Sequence, residues 1–192
     1  MKKIILFISF IICFNAIINA QNNNLTPESL KEQAYRNLNN GKYIEARSLY
    51  KKAYEGFAAQ GDYRNAIECG LKTDSLYVKE FFFKEAFELC RHMDAIILRG
   101  EEKENKKLFD LRLLIVKERL RMYMILRNTE RAKEQLAIMD EIGRQANNDA
   151  AKEIILNAKA NYYLTFGPIA QGTNYYEQLI DFYTQKGDTE QV

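Results

Sequence analysis

The sequence predicts an all-α protein of about eight helices. Only two of its 192 residues are proline, Pro27 and Pro168, and only nine are glycine. Alanine, leucine, glutamate, lysine and arginine fill most of the rest, and these residues lose little side-chain freedom in a helix. Apolar residues also recur at three- and four-residue steps through long stretches without a breaker, which is the spacing of one helix face.

Residues 1–20 stand apart from this pattern. Lys2 and Lys3 make a basic start, residues 4–14 are an apolar run, and Ala20 is a small residue before Gln21. That order reads as a secretory signal peptide, so the chain is expected to be exported to the periplasm. An uncleaved membrane anchor is the alternative, although the run falls short of the roughly 20 residues that a spanning helix needs. Residues 21–26 are polar and asparagine-rich, the composition of a flexible leader.

The helical region occupies 27–192, with helices expected over 27–39, 43–59, 62–78, 81–99, 103–127, 129–145, 148–166 and 170–186. Asn39-Asn40-Gly41 closes the first, because asparagine and glycine tolerate the left-handed conformation at a helix C-terminus. Gln60-Gly61-Asp62 closes the second, and Asp62 can cap the third. Thr129 and Glu130 suit a helix start, and Phe166-Gly167-Pro168 is a stop followed by a new start. Such short connections make neighbouring helices antiparallel. Residues 111–116 form an apolar cluster bounded by Lys117, Arg119 and Arg121, so they are expected on a buried helix face and not in a second span. The last helix carries Tyr175, Tyr176, Leu179, Ile180, Phe182 and Tyr183. Either these pack inward or the chain is the front part of a longer protein, and the turn-like Gln185-Lys186-Gly187-Asp188 favours the second.

Charge and composition exclude several function classes. The chain has 28 basic and 26 acidic residues, and without Lys2 and Lys3 the balance is 26 of each. A nucleic-acid partner calls for a basic surplus, so none is expected. There is one histidine, His92, and a metal or catalytic site generally needs further ligands or a base beside it. No glycine-rich phosphate loop or nucleophile motif appears. The chain is therefore expected to be no enzyme and to bind no metal and no cofactor. Glu101, Glu102 and Glu104 are expected in a solvated turn. Cys69 and Cys90 lie about equally far from the turn expected near residues 79–80, so the two can face each other. A disulfide there would stabilise by about 3 kcal/mol through loop closure; two buried free thiols are the alternative.

One stretch carries a repeat signature. Gly41, Tyr43, Ala46, Tyr50 and Ala53 place a turn glycine, an aromatic two residues on, and then small, large and small residues on one helix face. Small residues let two helices approach closely, and Tyr50 fills the gap between them. Weaker echoes follow at Phe83, Ala86, Cys90 and Met93, at Thr129, Ala132, Leu136 and Met139, and at Gly172, Tyr176 and Leu179. This stretch resembles the second half of a tetratricopeptide repeat (TPR). The resemblance implies a right-handed α-α superhelix of antiparallel helix pairs, in which the first helix of each pair lines a concave groove. The implied groove residues are Lys31, Tyr35 and Asn39, then Leu71 and Ser75, Lys117 and Arg121, and Asn157 and Asn161.

A protein or peptide is the partner that such a groove implies. With an export signal, the chain also resembles the extracytoplasmic sensor region of membrane-bound bacterial regulators, where such repeats precede a transmembrane helix. Membrane attachment would then come through a longer C-terminal region or an uncleaved signal. The alternative is a stand-alone scaffold or assembly factor of a periplasmic or outer-membrane complex.

Overall fold

The computed structural model describes residues 25–187. The expected signal peptide, most of the leader and residues 188–192 lie outside them. The described residues form eight helices and no strand: α1 (Pro27–Asn39), α2 (Tyr43–Gln60), α3 (Tyr63–Lys79), α4 (Phe83–Glu104), α5 (Phe109–Ile125), α6 (Thr129–Ala146), α7 (Asp149–Phe166) and α8 (Ile169–Lys186). No helix among them is long and apolar enough to cross a membrane.

Local chemistry sets most boundaries. The Thr26 hydroxyl accepts the Ser29 N–H at 3.2 Å, with Pro27 at the first helical position. Asp62 accepts from the Asn65 N–H at 3.1 Å, Asn128 from Arg131 at 3.1 Å and Asn148 from Ala151 at 2.9 Å. Caps of this kind contribute about 1 kcal/mol each.

The α4–α5 connection departs from expectation. The helix expected to end at residue 99 runs on through Gly100 to Glu104. Gly100 is buried against a neighbour's ring, and a β-carbon there would lie 2.8 Å from Tyr63 Cε2. Of the acids expected in a solvated turn, Glu102 and Glu104 are exposed on the last turn of α4, but Glu101 is only 5% exposed. Its carboxylate accepts the Leu108 N–H at 2.9 Å and Lys107 Nζ at 3.1 Å. Glu101 thus ties the end of α4 to the start of α5.

Each helix packs on the next, and α3 also packs on α5 and α5 on α7. Lys31 of α1 reaches Asn65 and Glu68 of α3 at 2.8 and 2.7 Å. The odd-numbered helices are therefore joined side by side. Ala46 and Ala53 are fully buried with Tyr50 between them, as the close-approach argument requires. Ala66, Ala86 and Ala132 are fully buried too. One core cluster spans α1–α4 and reaches α5, and a second spans α5–α7. No residue of α5 before Ile125 is exposed, because helices cover it on every side. In α8, Leu179 and Phe182 are buried with Leu156, and Tyr175, Tyr176 and Tyr183 pack around them. Of the apolar set expected there, Ile180 stays exposed.

Antiparallel packing sorts the turns onto two ends. One end holds the turns at 40–42, 80–82, 126–128 and 167–168, and the other those at 61–62, 105–108 and 147–148. On the first end, Lys79 Nζ lies 3.4 Å above the Tyr43 ring, and Arg47 pairs with Glu80. Phe87 and Tyr123, near the next two turns, meet in a tilted contact with 4.9 Å between centroids. On the opposite end, Arg64 bonds Asp110 at 2.5 Å.

Candidate functional site

A cavity of about 450 Å³ opens between α3, α5 and α7. Leu71 lines it from α3, and Ala158, Asn161 and Thr165 line it from α7. Steps of three and four residues bring Leu114, Lys117, Glu118, Arg121 and Met124 of α5 to the same wall. Leu71, Leu114, Leu120, Met124 and Ala158 make the surface mainly apolar, with charge at Lys117, Glu118 and Arg121.

The charged groups differ in how they are held. Arg121 Nε donates to both oxygens of Glu118, at 3.0 and 2.9 Å. Lys117 is half-buried and has no ion pair or hydrogen bond among the described residues. Behind Glu118 sits Asp74 of α3, which is fully buried. The Cys90 thiol donates to its Oδ1 at 3.7 Å, and its Oδ2 has no donor.

Burial pushes the Asp74 carboxyl up to about 9; hydrogen bonding to Glu118 and that group's charge act in the same direction, against Arg121 and the Cys90 thiol. Asp74 is therefore protonated at neutral pH, and its own O–H can donate to Glu118. The pair then carries one negative charge, which Arg121 neutralises.

The expected groove residues divide into three groups. Leu71, Lys117, Arg121 and Asn161 meet at the cavity. Asn157 lies one turn below Asn161, accepting its side-chain amide at 3.0 Å. Lys31 is engaged with Asn65 and Glu68, while Tyr35, Asn39 and Ser75 are exposed and line no part of this cavity. The sequence reading missed Leu114, Glu118 and Met124, although their helical spacing from Lys117 and Arg121 was signal enough. It also missed Asp74, whose only sign is a lone acid between the apolar positions Leu71 and Leu76.

Among the described residues, no cluster of three or more His, Cys, Asp or Glu side chains could hold a metal ion, and His92 is exposed on α4. Cys69 and Cys90 are free, buried thiols, the alternative to the disulfide considered from sequence. The charges felt at Cys69 come first from Lys31, whereas those at Cys90 come from Asp74 and Arg119. No known family, curated protein or solved structure matches the chain.

Proposed function

We propose that this chain is a non-catalytic binding module outside the cytoplasm, and that its odd-numbered helices form the inner wall of a TPR-like superhelix that grips an extended peptide segment of another protein. One observation carries the reading. Four residues that the repeat register assigns to a groove, Leu71, Lys117, Arg121 and Asn161, come from three different helices and share one apolar cavity. The side-by-side contacts of α3 with α5 and α5 with α7 support it, since first helices of successive repeats adjoin in such an array.

The chemistry of the wall suits binding. Its apolar floor takes a side chain, the unpaired Lys117 offers a charge, and Asn161 and Thr165 offer polar groups for a main chain. The carboxyls beside the cavity are engaged in structure, Glu118 by Arg121 and Asp74 behind it. The same groove serves a sensor region or a scaffold.

Selection from a random peptide library against the purified chain tests the proposal. Enriched peptides should share a pattern and lose at least about tenfold in affinity on Leu114→Arg, because a few central residues dominate most interfaces. Ile138→Arg, on the exposed surface of α6, should leave their affinity unchanged. Peptides indifferent to Leu114→Arg, in a variant of unchanged helicity, would rule out this groove.

A further inference from the structure

The exposed large apolar side chains are unevenly placed. Of thirteen among the described residues, eight lie at or beside the four turns of one end. Ile44 is 65% exposed, Phe81 79%, and Ile169 71%, with Phe82, Ile125 and Leu126 each near half. The turns at the opposite end are polar: Gly61-Asp62, Asn105-Lys106-Lys107 and Asn147-Asn148. Single exposed apolar residues are ordinary, but an accumulation on one end marks an interaction surface.

Backbone conformation gives a second, independent sign. The polar end uses Gly61, Asn105 and Asn147 at its left-handed positions, the residues that tolerate φ above zero. The apolar end uses Gly41, Phe81 and Arg127 at the corresponding positions, with φ of 74°, 64° and 52°. A phenylalanine there is strained, and it is also the most exposed large apolar side chain described. Stability alone would favour glycine, so the ring is retained at a cost to the fold.

We propose that this end of the fold docks on a lipid bilayer, with Phe81, Phe82, Ile125, Leu126, Ile44 and Ile169 entering the headgroup region. The side chains sit on the exposed tips of four separate turns, spread over the end of the fold as contact with an extended lipid surface requires. Charge agrees. Lys42, Lys79, Lys84 and Arg127 lie among the apolar tips, where their stems can follow the rings while the cations meet lipid phosphates. Glu80, in the same turn as Phe81, is paired with Arg47, and the nearby Glu45, Glu85 and Glu130 sit in the first turns of α2, α4 and α6, where the helix N-terminus offsets their charge. Aromatic rings and lysine together are the composition of a membrane interface.

The chain contains no tryptophan, so single-tryptophan variants of the full chain report each position separately. Phe81→Trp, Leu126→Trp and the control Leu98→Trp, at an exposed site within α4, are each mixed with phosphatidylglycerol–phosphatidylcholine vesicles. Tryptophan at 81 and 126 should shift its emission to shorter wavelength, and acyl-brominated lipid should quench it about twofold, as expected for burial several ångströms below the surface. Tryptophan at 98 should do neither. Absence of quenching at 81 and 126, or equal quenching at 98, overturns the proposal. A blue shift at 81 that grows with protein concentration without vesicles, and is unmoved by brominated lipid, assigns the surface to a second copy of the chain and overturns it too.

Discussion

Asp74 and Glu118 meet carboxyl to carboxyl between α3 and α5, with Arg121 bound to the outer side of Glu118. One shared proton makes that meeting favourable. It leaves a single charge for Arg121 to balance and lets the buried Asp74 carboxyl donate toward Glu118. The pair forms the polar wall between the α3–α4 packing and the peptide-sized cavity.

This arrangement makes stability depend on pH. The Asp74 carboxyl rises from an ordinary 3.8 to about 9 in the folded protein. The folded chain therefore holds a proton that the unfolded chain has released above about pH 4. The stabilisation is fully present below that pH, declines as pH rises, and is lost beyond about 9. Asp74→Asn keeps a donor toward Glu118 and removes the titration. Its thermal midpoint should exceed that of the native chain at pH 8 and approach it at pH 5, by circular dichroism. An equal difference at both pH values would contradict the shared proton.

Two small residues, Ala46 and Gly100, are buried where neighbouring helices pack together. Ala46→Leu should destabilise by about 1–3 kcal/mol through overpacking. Gly100→Ala tests the same idea with opposing effects. A mid-helix Gly→Ala change ordinarily gains about 1 kcal/mol, but here the new methyl would lie 2.8 Å from the Tyr63 ring. A net loss of about 1–2 kcal/mol is expected in urea unfolding, and a gain would show that the ring moves aside freely.

Glu101 is the fastening of the α4–α5 connection. Glu101→Ala strips the partner from the Leu108 N–H and from Lys107, and should cost about 1–3 kcal/mol. Glu101→Gln retains an acceptor for the Leu108 N–H and should recover part of that loss. Equal melting of both variants would reduce Glu101 to a pairing of charges.

The free thiols predict a chemical silence. Burial pushes Cys69 up to about 12 and raises Cys90 further, so neither forms the reactive thiolate at neutral pH. A thiol reagent should modify both only after denaturant is added. A Cys69–Cys90 disulfide in an unreduced peptide map would refute the thiol assignment.

Much of this architecture was legible because it is local. Glycine and asparagine at helix ends, and side chains that cap the next start, write themselves into neighbouring residues. The α4–α5 break was placed too early, at Gly100, a glycine that the fold uses for close packing against Tyr63, 37 residues earlier. Four of the ten residues lining the cavity followed from repeat register. Glu118 and Asp74 did not, since a buried acid and a solvated one look alike until the opposing helix is in place. The apolar turns escaped notice for a similar reason: Phe81 and Ile169 become neighbours of a common surface only once the helices alternate in direction.

The enclosure of α5 has a consequence for how such a chain can change length. Hairpins can be added or trimmed beyond α1 or α8 while most of the existing packing stays in place. A cut through the middle would instead strip the one rod that both halves share, leaving Leu113 and Ile115 without cover at the same moment. The two halves should therefore melt as a single event, and splitting the protein into independently soluble fragments should fail wherever the boundary touches α5.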